Sequence, residues 1–325
     1  MRAPEFWQAE QGGFSAVALS PLSWAYGFAA TLRRSWVRSW CPPVPVICVG
    51  NVVVGGAGKT PVVLDIARRL QTRGRSVSFL SRGYGGSEPG PYRVDGDVDR
   101  VSRVGDEPLL LSRRAPTWVS RDRVNGARAA SESADVIIMD DGFQNPSLIK
   151  ACSLLVIDGH YGFGNGRLIP AGPLRESPRR ALKRADGVVI MGNDEAGLSA
   201  TISRTAPDLP QFRAKVIPGP EIKNLTDKPV TAFAGIGHPD KFFRTLAEAG
   251  CNVVSNRAFP DHHPYSLSDL ERLRSLASGH ESQLVTTEKD LVRIPNDQRQ
   301  GIEVLTITLQ WEDEAALDSL LNRLH

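Results

Sequence analysis

Apolar residues fall along this chain in two alternating patterns. Residues 136–139, 154–157 and 188–191 are short unbroken apolar runs. Runs of this kind suit strands buried on both faces of a parallel sheet. Residues 76–80 form a weaker candidate of the same type. Between the runs the spacing changes: Val62, Val63, Ile66, Ala67 and Leu70 recur every three to four positions and predict a helix with one apolar face. Residues 106–114 read as a second helix, with Asp106 at the N-cap and Pro108 in the first turn. Strands alternating with helices predict an α/β/α sandwich with a mainly parallel sheet.

A second αβ pattern begins at Pro229. A strand over 230–234, a turn at Gly235-Ile236-Gly237-His238-Pro239 and a helix over 240–249 ending at Gly250 come first. Strands at 252–255, 284–287 and 304–307 and a helix from about Asp313 follow. Residues 205–228 are richer in Pro, Lys and Asn. The expected organisation is therefore an N-terminal segment over 1–40, a first domain over 41–210, a linker over 211–228 and a smaller α/β domain over 229–325. A length of 325 residues agrees with two domains. It stays open whether the last strands cross back to the first.

The N-terminal segment has its own pattern. Residues 14–32 carry no charge, and Arg33, Arg34 and Arg38 follow, interleaved with Trp36 and Trp40. Basic residues after the apolar stretch argue against a cleaved signal peptide. The length would allow a spanning helix, but Ser15, Ser20, Pro21, Ser23 and Gly27 dilute the hydrophobicity. Phe28, Leu32, Trp36 and Trp40 recur every four residues, and the arginines fall largely off that line. The expectation is an interfacial helix resting on an anionic membrane surface; the competing reading packs it on the protein's own core.

Composition narrows the function classes. With 39 basic and 36 acidic residues the formal net charge is only +3, which argues against a general nucleic-acid binder. The four cysteines are scattered and read as reduced.

The stretch from Val49 to Thr60 carries the chemistry. An apolar strand runs into a glycine-rich loop, and Lys59-Thr60 opens a helix. Glycines let backbone N–H groups converge on phosphate oxygens, and the helix N-terminus favours their charge. Val53, Val54, Gly55, Gly56, Ala57, Gly58, Lys59 and Thr60 are the expected ATP cradle, with Lys59 on the terminal phosphates and Thr60 on Mg²⁺. The usual spacing would place glycine at 53, where this chain has valine. Asp140 and Asp141, at the end of an apolar strand, are the carboxylates expected to hold Mg²⁺ with Thr60.

Further motifs occur in order: Ser81-Arg82-Gly83-Tyr84-Gly85, Val104-Gly105-Asp106-Glu107-Pro108, Asp140-Asp141-Gly142-Phe143-Gln144, Gly164-Asn165-Gly166-Arg167, Pro170 to Glu176, Asp261-His262 and Thr287-Glu288-Lys289-Asp290. With the Val54–Pro61 stretch they closely resemble the tetraacyldisaccharide 4'-kinase family, the lipid A 4'-kinases of Gram-negative bacteria. The resemblance runs to at least residue 290, and Val53 is itself typical of that family. It implies a P-loop kinase that moves the ATP γ-phosphate to the 4'-hydroxyl of a tetraacyl glucosamine disaccharide 1-phosphate, giving the 4'-phosphorylated lipid A precursor. It also implies a place on the cytoplasmic face of the bacterial inner membrane, held by the N-terminal segment.

By resemblance, Asp106 is the base or orienting carboxylate and His262 its partner, and Lys59 completes the catalytic set. Because Asp106 and His262 fall in different domains, the site is expected in the cleft between them. From the residues alone, Asp261-His262-His263 reads equally as a polar loop or a metal pair. Arg175 and Glu176 read either as recognition of substrate phosphate or sugar or as a salt-bridged turn. Tyr84 either stacks on a sugar or packs on the core. Gln144 is placed with the nucleotide and metal region, and Glu288, Lys289 and Asp290 receive no role. The chain departs from the family at Asn145, where histidine is usual, so a titrating role there does not carry over. Competing readings are another P-loop kinase or ligase, or a membrane-bound ATPase switch that lacks an acceptor-hydroxyl base.

Overall fold

The computed structural model describes residues 4–8 and 13–323; residues 1–3 and 9–12 of the expected N-terminal segment and 324–325 of the C-terminal unit lie outside the described residues. In chain order the strands are β1 (Val46–Gly50), β2 (Val77–Ser81), β3 (Tyr92–Arg93), β4 (Thr117–Val119), β5 (Val136–Asp140), β6 (Cys152–Asp158), β7 (Gly187–Met191), β8 (Gln211–Pro218), β9 (Pro229–Ala234), β10 (Asn252–Ala258), β11 (Gln283–Thr287), β12 (Ile302–Leu305) and β13 (Ile307–Trp311). The first sheet runs β13-β8-β7-β6-β1-β5-β2-β4-β3, and the second runs β10-β9-β11-β12. The pairings inside the second sheet are all parallel; the first departs from parallel only at its two edges, β13 on β8 and β3 on β4. The apolar runs read as doubly buried strands lie at or beside the centre of the first sheet, where every residue of β1, β5 and β7 is buried.

Helix α1 spans Gly13–Trp36 and α2 spans Lys59–Thr72. The apolar face of α2 (Val62, Val63, Ile66, Leu70) packs on the same core as β1, β5 and β6. This fixes the strand-to-helix turn at 51–58 on the C-terminal edge of the sheet, where open α/β folds bind ligands.

The expected linker over 211–228 is corrected by the sheet. Residues 211–218 are β8, paired in parallel with β7, because Phe212 and Ala214 contribute to the first core. The expected single strand at 304–307 is also corrected. The chain leaves the second sheet after β12, turns at Thr306 and adds β13 to the first sheet, antiparallel to β8. Trp311, Leu317 and Leu321 are then buried against α2. The first domain is thus built from both ends of the sequence. The two connections between domains lie side by side, with the Gly219 N–H donating to the Thr306 carbonyl at 2.8 Å and the Thr306 hydroxyl donating to Glu221 at 2.6 Å.

The helix in the N-terminal segment forms, but it ends at Trp36. Trp40 is not on its face: the Trp40 N–H donates to the Ser147 carbonyl, and the ring packs on a core cluster with Leu148. Among the described residues, no helix is long and apolar enough to cross a membrane. The face that α1 turns to the protein is small and polar. Ser23 donates to the Leu168 carbonyl and accepts from the Ala171 N–H, and Arg167 donates to Ser20. A methyl group added at Gly27 would meet Leu168 at 2.7 Å. Phe14, Val17, Trp24, Phe28 and Trp36 are left in solvent.

Burial of Leu317 in the first domain yields a prediction. Leu317→Ala should cost about 2–5 kcal/mol by urea unfolding, as for other buried leucines, although the residue lies beyond the whole second domain in sequence. A loss under about 0.5 kcal/mol, typical of surface changes, would show that the C-terminal helix is not integral to the first core.

Candidate active site

The loop after β1 is braced by a second loop. The Val54 N–H donates to the Pro173 carbonyl at 2.9 Å, the Arg175 N–H donates to the Val52 carbonyl at 2.7 Å, and Val53 bridges Leu174. Valine at 53 is therefore a packed, strand-like residue at the root of the loop, buried with Val52, Phe143 and Leu174. The open part comes after it: Gly55 and Gly56 have free space on their Cα atoms, and Gly58 takes a left-handed conformation at φ 79°. From there α2 starts at Lys59 with Thr60 in its first turn, so its unpaired N–H groups face the loop.

Two carboxylates close this end of the sheet. Asp140 terminates β5, is buried, and has no hydrogen-bond partner at Oδ1. Burial pushes its carboxyl up to about 7; the charge of Glu107 adds to the effect, and Lys59 opposes it. Asp141 has φ 49°, a conformation that aspartate tolerates better than most residues. It accepts from Arg175 at 2.9 Å and lies 3.7 Å from Lys59. Burial works to raise its pKa, but Lys59 and Arg175 outweigh that and hold it low. The two adjacent carboxyls are thus shifted in opposite directions, one by burial and the other by its two cations. Arg123 lies close to both; burial, with Arg82 adding to it, pushes its pKa down to about 10.

Asp106 and His262 meet across the domains. His262 Nδ1 lies 2.8 Å from Asp106 Oδ2, and His262 has φ 60°. Asp106 does not cap its helix. The N-cap is Gly105, and Asp106 Oδ1 accepts from the Glu107 N–H at 3.0 Å. Gly105 cannot carry a side chain: its φ is 91°, and a Cβ would meet the Tyr84 carbonyl at 2.5 Å. The Tyr84 loop is thereby laid against the start of the Asp106 helix, with the tyrosine side chain in solvent at 77% exposure, away from the core. Burial works to raise the Asp106 pKa, but Lys289 and Arg293 outweigh it and the net shift is downward. Arg293 was not found from the sequence. Its signal was available, three residues after Asp290 in a motif left without a role.

Glu176 is buried rather than open to a ligand. It accepts from Arg184 at 2.6 Å, from Gln144 at 3.2 Å and from Arg34 of α1 at 3.4 Å. That supports the salt-bridged reading of Glu176, while Arg175 turns the other way onto Asp141. Gln144 also donates to the Asn51 carbonyl at 2.7 Å, joining the phosphate loop to Glu176 and so to α1. Asn145 accepts from the N–H and hydroxyl of Ser147, a turn role that needs no titrating group.

The family model for tetraacyldisaccharide-1-P 4'-kinase matches residues 15–325. The chain belongs to that family. The tetraacyldisaccharide 4'-kinase of Paramagnetospirillum magneticum is 50% identical, over 100% of this chain and 99% of its own length. That of Rhodospirillum centenum is 48% identical over 99% and 96%. The "apo" form of LpxK from Aquifex aeolicus, solved in complex with ATP, superposes with a TM-score of 0.76 at 28% identity, covering 95% of this chain and 99% of that one.

The raised Asp140 carboxyl carries a sign that can be checked. A folded pKa above the ordinary carboxylate value means that ionisation costs stability as pH rises toward 7. Without divalent metal, Asp140→Asn should melt higher than the parent at pH 8, and the gap should close as pH falls toward about 4. A variant that melts lower at pH 8 would contradict the desolvated carboxylate.

Proposed function

We infer that this protein transfers the γ-phosphate of ATP to the 4'-hydroxyl of a tetraacyl glucosamine disaccharide 1-phosphate. The observation that carries this reading is the contact between Asp106 and His262, made across the domain interface in a member of the tetraacyldisaccharide-1-P 4'-kinase family. A nucleotide switch needs a phosphate loop and a cation, but not a carboxylate–imidazole pair brought together by a second domain.

The roles follow from the chemistry. Residues 53–60 cradle the phosphates, and Lys59 neutralises the terminal ones. Thr60 and Asp140 are the groups that would hold Mg²⁺: a hydroxyl and a buried carboxylate oxygen without a partner suit a hard cation that completes its shell with phosphate oxygens and water. Asp141, already paired with Lys59 and Arg175, orients those cations. Bound Mg²⁺ would supply charge neutralisation on the phosphates. The acceptor oxygen forms a bond to the γ-phosphorus, the bond to the β-phosphate oxygen breaks, and ADP leaves. The hydroxyl proton passes to the Asp106–His262 pair, whose placement supplies orientation as well as basicity. Tyr84, whose side chain is exposed, is the residue we assign to stacking on the sugar.

The lipid acceptor requires a surface. α1 offers one, because its aromatic and aliphatic side chains face solvent while its small polar face is docked, and Arg33 near its end and Arg38 just beyond it add positive charge. We place the enzyme on the cytoplasmic face of the inner membrane, where ATP and the lipid precursor meet.

ATP and tetraacyl disaccharide 1-phosphate in mixed micelles should give a disaccharide carrying one more phosphate by mass spectrometry. ATP hydrolysis without that product would favour a switch. Asp106→Ala and His262→Ala should each lower kcat by about 10²-fold or more, with ATP affinity retained; near-normal turnover in either refutes the assignment. Replacing Trp24, Phe28 and Trp36 together by serine should weaken binding to anionic vesicles by about 10³-fold or more, since each buried aromatic contributes about 1.5–3 kcal/mol. Unchanged vesicle binding would remove α1 as the anchor.

A further inference from the structure

We propose that Arg293 is a positioning residue for phosphoryl transfer, delivered by the second domain to fix the Asp106 carboxylate when the domains close. The inference rests on the Asp106–His262 assignment above.

Arg293 is fixed within its own domain first. Its Nη1 donates to Asp290 at 3.0 Å and to the Gly235 carbonyl at 2.6 Å. Asp290 is held in turn by the Gly235 N–H, the Tyr265 hydroxyl and the Thr287 hydroxyl, at 2.7–2.9 Å. Each of these partners belongs to the second domain, so the guanidinium keeps them whether or not the cleft is closed. Its remaining edge, Nε and Nη2, donates across the cleft to Asp106 Oδ2, with Nε at 3.1 Å. The Arg293 side chain is 1% exposed and that of Asp106 is 5%. The same Gly235 carbonyl also accepts from the His262 N–H at 3.1 Å. One carbonyl therefore registers both groups that reach Asp106 from the second domain.

A rigid planar fork is suited to this, because holding one edge aims the other. Asp106 on the open first domain would face its helix and Glu107 alone. On closure it meets His262, Arg293 and, at 3.9 Å, Lys289. Glu107, on the same helix, is the negative neighbour, itself 3.9 Å from Lys289. Arg293 offsets that negative charge and, with Nε and Nη2 both on Oδ2, holds that oxygen beside the imidazole.

The test is a double-mutant cycle on the full chain with ATP, Mg²⁺ and the tetraacyl disaccharide 1-phosphate in mixed micelles. Arg293→Gln should lower kcat by about 10²-fold, the scale of a misplaced catalytic group, with KM for ATP changed less than about threefold. The acidic limb of the kcat–pH profile should move to higher pH, because the carboxylate loses a cation. In an Asp106→Asn background the same change should cost less than about twofold. Arg293→Lys keeps the charge without the fork and should lose about tenfold, leave the limb in place, and show the same loss of effect beside Asp106→Asn; it carries the test if Arg293→Gln does not fold. Equal losses in both backgrounds, or a rise in ATP KM with kcat unchanged, would overturn the proposal. Wild-type turnover in Asp106→Asn alone would instead overturn the assignment of Asp106, and this inference with it.

Discussion

Three charged side chains meet almost without water where the two domains touch: Asp106 from the first, Asp290 and Arg293 from the second. Charges buried this deeply are stable only when paired and hydrogen-bonded, and an uncompensated one costs several kcal/mol. Asp290 and Arg293 satisfy each other inside the second domain. Asp106 is satisfied fully only when that domain is against the first. One carboxylate of the first domain is thus the common partner of an arginine and an imidazole that both come from the second. The paired connections at Gly219 and Thr306 lie where a rotation of the second domain would have to be absorbed.

The phosphate loop is tied to a different partner. Asn51 is joined through Gln144 to Glu176, and Glu176 to Arg34 of α1. A buried carboxylate shared by Arg184, Arg34 and Gln144 gives the helix that faces outward a polar connection to the nucleotide cradle. The loop that carries Glu176 also braces Val52 and Val54 through its backbone. The amphipathic helix and the phosphate loop are therefore successive links of one hydrogen-bonded chain, and Arg175, next to Glu176, pairs with Asp141, which also lies 3.7 Å from Lys59.

Much of this was legible in the residues. Central strands revealed themselves as unbroken apolar runs because a doubly covered strand has no polar face to show. The Gly58-Lys59-Thr60 turn was readable because its chemistry is local. Asp106 and His262 were reached through family resemblance, and their contact is a fact of the interface. Arg293 and the part played by Lys289 escaped because their partner Asp106 lies up to 187 residues away. The β8 strand was mistaken for a linker, since an edge-side strand with one covered face carries a weaker pattern than a central one.

The sequence by itself determined the α/β alternation, the phosphate cradle, the acidic end of β5 and the amphipathic character of α1. Each depends on residues close in the chain, where backbone geometry and side-chain period act directly. Only the tertiary structure decided that the chain re-enters the first sheet at Ile307, that Glu176 anchors α1, and that Asp106 is gripped from the second domain. Those outcomes depend on burial and charge pairing between distant segments: which face is covered, and which ion is left without water, are properties of the assembled fold.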